Sequence, residues 1–343
     1  MDRRGILKAG IIGLALTAIP NKLITQTKNK LIKPKVLNQG DKVGIIAPAT
    51  SVSDPSDIQK ATQVLDYFNL KYKFGDYVFG GEGYKSRSVS QRIEDLHKMF
   101  SDEEIKAIFC LRGGYGSPQL LDKIDYNLIK KNPKIFLGYS DITAMHLAIT
   151  KMSGIVTFHG PVMMSAFSNY TVEYFRRALF STEPIGEISN PMVMNGIRVA
   201  YPYRTIYSGV AKGGLTGGNL SMICSLMGTP YEIETKGKIL FIEDVGEEPF
   251  RIDRMLTQLN LSGKLSQTNG IVFGRCNDCD KNSNVWDYSL NEVLDQQLKD
   301  LKIPVVYGLL IGHTAEQVTI PYEVEATLDA DNGKLIINES ACE

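Results

Sequence analysis

Ser140 stands where the stretch "KIFLGYSDITAMHLAI", residues 134–149, changes its period. Ile135, Phe136 and Leu137 run consecutively, as in a buried strand, whereas Ile142, Met145 and Leu147 to Ile149 fall at helical spacing. A serine at such a corner is either a helix cap or a nucleophile held out on a sharp turn. A nucleophile requires a base, and the chain has four histidines. His97, in "QRIEDLHKMF", reads as a solvated helix residue. His146 follows Ser140 on the same helix by about 9 Å along the axis and out of phase, so it cannot turn back to it. His159 in "FHGP" and His313 in "LIGHTAEQ" both come directly after apolar strands. Gly312 lets the chain turn tightly before His313 and favours it; His159, followed by Gly160 and Pro161, remains open as a structural loop residue. The base needs an acid to fix its tautomer. Glu243 ends the apolar run of "ILFIEDVGEEPF"; Asp244 competes with it, and a strand end facing water is the plain alternative for both.

The order Ser140, Glu243, His313 is the order of α/β-hydrolases, yet Ile142 occupies the second glycine position of their G-x-S-x-G elbow. Stabilising an oxyanion takes backbone N–H groups at a helix start, which Asp141 offers, and a second turn such as "LRGGYGSPQ", where Gly113 or Gly114 is available. That turn is no phosphate loop. It lacks G-x-x-x-x-G-K-[ST] spacing, and Gln119 stands where a dinucleotide fingerprint has its last glycine.

These residues need a scaffold that brings strand ends together. From Lys42 the chain alternates short apolar runs ("VGIIAP", "KAIFCL", "KIFLG", "GIVTF") with amphipathic segments. Among these are a helix capped by Asp54 or Ser56 and another opened by Ser117-Pro118. The alternation predicts a parallel sheet wrapped by helices, with function at the carboxyl ends of its strands. Residues 169–208, rich in Pro, Asn and Tyr, read as a linker with one or two short helices. The second half resumes the α/β pattern and closes in antiparallel strands turned at Asp331-Asn332-Gly333.

The chain has 343 residues, with 38 basic and 38 acidic side chains and 43% hydrophobic residues. That allows two domains with a sizeable core and argues against nucleic acid as a partner, which calls for a concentrated basic surface. Arg3, Arg4 and Lys8 precede an apolar segment, Ala9 to Pro20, that is shorter than the roughly 20 residues of a membrane span. This build resembles a twin-arginine export signal over residues 1–33, so the expectation is an exported, periplasmic protein with no stable span after signal removal; the cytoplasm is the runner-up. Five cysteines form no disulfide framework. The lone pair Cys276 and Cys279 reads as two idle thiols, with a local disulfide as the alternative in an exported chain.

Six stretches in register, "LRGGYGSPQLL", "FLGYSDITAMHLAI", "FHGPV", "GGNLSMICSLMGTPYE", "FIEDVGEEPFRIDRML" and "GHTAEQVTIPYEVEATLD", resemble the LD-carboxypeptidases, or muramoyl-tetrapeptide carboxypeptidases, serine peptidases whose relatives include microcin C immunity peptidases. The resemblance runs from about Pro34 to the C-terminus. It implies an α/β protein with a flavodoxin-like N-terminal domain carrying the nucleophile, residues 34–168. A smaller C-terminal α/β domain with a barrel-like sheet, residues 209–343, would carry the acid and base. Ser140 matches the nucleophile, Glu243 the acid, His313 the base, and Gly114 and Asp141 the oxyanion-hole amides. The implied reaction removes the terminal D-alanine from peptidoglycan tetrapeptide stems, by a homodimer that needs no metal or other cofactor. An exopeptidase must recognise a free carboxylate. Arg112, Tyr115, Asn219 and Arg251, with Arg254 as a further cation, are the candidates for holding substrate.

Three other readings stay open. An immunity-type peptidase would cleave peptidyl or aminoacyl nucleotide conjugates, stacking the base on an aromatic loop; the single tryptophan, Trp286, lies in "NSNVWDYS". A non-catalytic muropeptide-binding protein would have no use for the three triad residues. A metallocarboxypeptidase built on His313 and Glu316 lacks a convincing second histidine ligand.

Overall fold

The computed structural model describes residues 31–52, 54–81, 83–280 and 288–343. The export-signal reading of residues 1–33 falls mostly outside them, and Trp286 wholly so.

The first half alternates as its sequence predicts. Strands β1 (Lys42–Ile46), β2 (Lys71–Phe74), β3 (Ile105–Cys110), β4 (Ile135–Gly138) and β5 (Phe158–His159) are separated by α1 (Pro55–Tyr67), α2 (Val89–Ser101), α3 (Tyr126–Lys131) and α4 (Thr143–Ser153). The strands pair in parallel in the order β2-β1-β3-β4-β5, the flavodoxin-like arrangement. Strands β3 and β4 are buried almost throughout, which explains their unbroken apolar runs. Local signals set the helix starts. Asp54, and not Ser56, caps α1 by accepting from Ser56 N, and Ser88 forms a capping box with Gln91 on α2. The segment opened by Ser117-Pro118 is a single 3₁₀ turn, Ser117–Leu120, and buried Arg92 donates to the carbonyl of Gly116 at its start at 2.9 Å. The run "GIVTF" pairs only at its end, as β5; Ile155 makes an isolated bridge to Ile32.

Residues 169–208 carry more structure than a linker. After α5 (Asn169–Leu179) come β6 (Gly186–Ile188), the hairpin β7 (Met194–Asn195) and β8 (Arg198–Val199), and β9 (Arg204–Tyr207). β6 and β9 are the two edge strands of a second, eight-stranded sheet. Its remaining elements are β10 (Val210–Asn219), α6 (Leu220–Ser225), β11 (Ile239–Glu243), α7 (Pro249–Leu261), β12 (Gly270–Gly274), α8 (Leu290–Leu298), β13 (Val305–Leu309), β15 (Glu325–Asp329) and β16 (Lys334–Ile337). The short β14 (Ile320–Pro321) crosses over to pair antiparallel with β5 of the first sheet. In the second sheet β10 to β13 run parallel, flanked by antiparallel strands in the order β6-β16-β15-β10-β11-β12-β13-β9. The sheet curls. Asn190, just beyond β6, donates to Gly308 O of β13 at 2.9 Å, beside the opposite edge.

These short strands offered no period-2 signal in the sequence, because β6 has three residues, β9 four, and β7 and β8 only two each. The two halves meet where α4 faces the end of β10: Asn219 N donates to Thr143 Oγ1 at 3.0 Å. Tyr322, fully buried just after β14, donates to Gly217 O at 3.0 Å in the same seam. That seam aligns the carboxyl ends of β4, β11 and β13.

Candidate active site

Ser140 lies two residues beyond the end of β4, and its backbone is left-handed, with φ +66°. The N-cap of the turn Ser140–Ile142 is Tyr139, which makes no side-chain cap bond, so Ser140 is not an ordinary helix cap. A β-carbon in this conformation costs about 1 kcal/mol or more. The same strained strand-to-helix corner holds the nucleophile of α/β-hydrolases out of the sheet. The missing second glycine is tolerated because the chain passes through a 3₁₀ turn at Ile142, whose side chain packs on Gly138. A β-carbon added at Gly113 would lie 2.9 Å from Ser140 Cβ, so the turn after β3 can approach the serine this closely only as glycine.

His313 arrives from β13. Its imidazole lies 4.8 Å, centroid to centroid, from the ring of Tyr139 and lines the same cleft of about 430 Å³ as Ser140, Arg112 and Gly114. Its Nδ1 donates to Glu243 Oε2 at 2.7 Å. Glu243 ends β11 with no exposure to solvent, and its Oε1 has no partner among the described residues. A buried carboxylate held this way favours an adjacent cation. Burial opposes protonation of His313, but the hydrogen bond and charge of Glu243, aided by Asp244, hold its pKa above the ordinary histidine value. Gly312 has φ +82°, and a β-carbon there would sit 2.1 Å from Glu243 Oε2. The turn that the sequence assigned to Gly312 therefore also makes room for the acid.

The other histidines are buried or half-buried, and neither ring nitrogen of His159 has a hydrogen-bond partner among the described residues. His146 is buried, bonds Gly138 O through Nε2 at 2.9 Å, and is pushed by burial down to about 4. His159 is also buried, packed edge-on against Phe241, and burial drives its pKa well below the ordinary value. His97 is not the solvated residue expected: half-buried, its Nε2 accepts from Asp125 N at 3.0 Å, capping the approach to α3. Asp244 is likewise committed, accepting from Asn219 Nδ2, Ser221 N, Ser221 Oγ and Val245 N. Sequence could not separate it from Glu243, because adjacent residues at a strand end differ only in which way the pleat turns them.

Asp141 buries its carboxyl against the neighbouring turn, accepting from Ser117 N at 2.7 Å; burial raises its pKa despite that bond. Its carboxylate is thus structural, which leaves the backbone amide as what it offers beside Ser140. Gly114 stands across the cleft against Thr50, a residue that no motif pointed to; Thr50 Oγ1 accepts from Tyr115 N at 3.1 Å and donates to Tyr84 O at 2.8 Å. Of the substrate-holding candidates only Arg112 lines the cleft. Tyr115 is exposed and packs edge-on against Tyr84. Asn219 caps α6 and is buried at the seam. Arg251 lies on α7 beside Glu247 and Glu248, both at 3.7 Å, and Arg254 sits over the Phe250 ring. Glu316, considered above with His313 as a metal pair, accepts from the Tyr201 hydroxyl at 2.6 Å. Cys276 and Cys279 are not idle thiols: they are joined in a disulfide across a turn that brings their Cα atoms to 5.7 Å. The C-x-x-C spacing alone left that turn geometry undetermined.

A strained serine, an imidazole in its cleft and a buried carboxylate on that imidazole make up the site of a serine hydrolase on an α/β scaffold. Comparison with known proteins narrows the class. The model of the LD-carboxypeptidase N-terminal domain matches residues 43–160, and that of the LD-carboxypeptidase C-terminal domain matches residues 212–328. The probable murein peptide carboxypeptidase of Bacillus subtilis (strain 168) is 38% identical over 316 residues, covering 91% of this chain and 96% of the relative. Among solved structures, the MccF-like protein from Bacillus anthracis superposes with a TM-score of 0.81 at 30% identity, covering 90% of this chain and 99% of that one. The muramoyltetrapeptide carboxypeptidase from Oxalobacter formigenes gives 0.74 at 31% identity, covering 87% and 99%. This chain belongs to the LD-carboxypeptidase family and is a serine carboxypeptidase.

Proposed function

We propose that this enzyme hydrolyses the bond between the L-centre of the diamino acid and the terminal D-alanine of peptidoglycan tetrapeptide stems, leaving a tripeptide. The observation that carries this is Ser140, at φ +66°, sharing its cleft with the Glu243-bound imidazole of His313, in a chain that is 38% identical to a probable murein peptide carboxypeptidase. With Nδ1–H committed to Glu243, the lone pair of Nε2 is the basic one. It takes the Ser140 proton as Oγ attacks the carbonyl, and the amides of Gly114 and Asp141 receive the developing oxyanion. The imidazolium then protonates the leaving D-alanine amine, and the same base activates water to release the acyl-enzyme. Arg112 receives the free carboxylate, the group that distinguishes an exopeptidase substrate.

The test is D-alanine release from a disaccharide tetrapeptide. Ser140→Ala should lose about 10⁴-fold or more in kcat, and a chelator should leave the wild type unchanged. Equal release by the variant would sink the serine mechanism. A second reading, cleavage of aminoacyl nucleotide conjugates, is favoured by the higher TM-score against the MccF-like protein. Faster turnover of such a conjugate than of the tetrapeptide would establish it in place of the first.

Export and self-association belong to the same proposal. The twin-arginine-like residues 1–33 would direct the folded enzyme to the periplasm, where wall stems are within reach, and the enzyme would work as a homodimer. Fractionation of cells carrying Arg3→Lys with Arg4→Lys tests the first, with loss of periplasmic enzyme expected. A sedimentation mass of one chain would refute the second.

A further inference from the structure

We propose that Asn277, set in a turn closed by the Cys276–Cys279 disulfide, is a positioning residue for His313, and that the disulfide makes hydrolysis sensitive to reduction. The inference rests on the proposed role of His313 as the base. β12 runs between β11, which ends in Glu243, and β13, which leads to His313, so the turn after β12 lies at the edge where acid and base meet. Asn277 joins the two. Its Nδ2 donates to His313 O at 2.7 Å, and its own carbonyl accepts from Gly246 N at 2.9 Å, beside a bridge between Val245 and Asn277. One residue thereby ties the loop after the acid to the loop carrying the imidazole.

Asp278 is left-handed, at φ +63°, a conformation that Asp adopts more readily than most non-glycine residues. The disulfide spans Asn277 and Asp278 and closes the turn around them. A bridge closing so short a loop restricts the unfolded chain far less than one closing a long loop. Its effect is therefore expected in local geometry more than in global stability. A cleft of about 480 Å³, lined by Arg275, Tyr307 and the turn itself, includes both cysteines in its wall, although they are only 7% and 2% exposed. A small dithiol reaching them would cleave the S–S bond by exchange. Each cysteine gains one electron and one proton, and the reagent leaves as its cyclic disulfide.

The experiment compares kcat and KM for D-alanine release in oxidised wild type, dithiothreitol-reduced wild type, Asn277→Ala with and without reduction, and the Cys276→Ser/Cys279→Ser pair. Amide hydrogen exchange over residues 310–314 is followed in each. Reduction of the wild type, Asn277→Ala and the cysteine pair should each lower kcat about 10- to 100-fold at KM within a factor of about two, the range expected for a misplaced base. Exchange over 310–314 should rise in all three. Reduction should add nothing in Asn277→Ala, because both act through one contact. Equal kcat in oxidised and reduced wild type, or an undiminished effect of reduction on Asn277→Ala, would overturn the proposal. Should oxidised wild type release no D-alanine at all, the proposed function fails. The exchange data then decide the positioning role alone, and unchanged exchange in Asn277→Ala and in reduced wild type overturns it.

Discussion

At the scale of single residues the site is a matter of charge placement. Glu243 is buried with one oxygen on His313 Nδ1, and its charge keeps the imidazole a stronger base than usual despite the desolvation that opposes it. A base with a raised pKa is lost to protonation as pH falls through that value, so the acidic limb of kcat/KM should lie above 6.5, the ordinary histidine value. Glu243→Gln removes the charge and leaves the burial. The limb should then move to lower pH while the rate drops about 10²- to 10⁴-fold. A pH–rate profile whose limb does not move would show that Glu243 is not the controlling charge. Arg112 is the cation among the described residues lining the cleft, and a charge-assisted bond to a carboxylate is worth about 1.5–3 kcal/mol. Arg112→Ala should therefore cost about 10- to 100-fold in kcat/KM on the tetrapeptide. It should cost much less on the same peptide with an amidated terminus, and equal losses on both would remove Arg112 from carboxylate recognition.

At the scale of elements, the decisive piece is the corner between β4 and α4. Its strain is an observed backbone outlier, Ser140 at φ +66°, and the surrounding packing of Tyr139, Gly138 and Ile142 holds it. Glycine has no penalty in that region, whereas alanine keeps the β-carbon clash. Ser140→Gly should consequently be more stable than Ser140→Ala by about 1 kcal/mol, the reverse of the usual order, with both variants inactive. Thermal unfolding of the two measures it. An alanine variant at least as stable as the glycine one would mean that the corner is not strained. The corner and its base reach each other because β4 and β13 belong to different sheets whose carboxyl ends meet at the Thr143–Asn219 seam.

For the whole molecule, balance of charge conceals an asymmetry. Residues 1–33 hold seven of the 38 basic side chains and one of the 38 acidic ones, so the remainder carries a formal charge of −6. If export removes that segment, enzyme recovered from the periplasm should focus at a distinctly more acidic point than the full chain. Identical focusing of the two would argue against processing. Much of the molecule was legible beforehand. Unbroken apolar runs announced buried parallel strands, and Ser140, Glu243 and His313 each followed one of them, because the chemistry of a parallel sheet gathers at strand ends. The six stretches in register carried the family. What sequence could not settle was everything fixed by contacts far apart in the chain: β6 and β9 as sheet edges, His97 under Asp125 N, Arg112 in the cleft while Arg251 and Tyr115 lie outside it, and the closure of Cys276 on Cys279. Periodicity and motif report which residues a segment must bury and what chemistry its side chains allow. Which of two neighbours, Glu243 or Asp244, meets the imidazole depends on the direction of a pleat and the approach of another sheet, and only the folded chain supplies those.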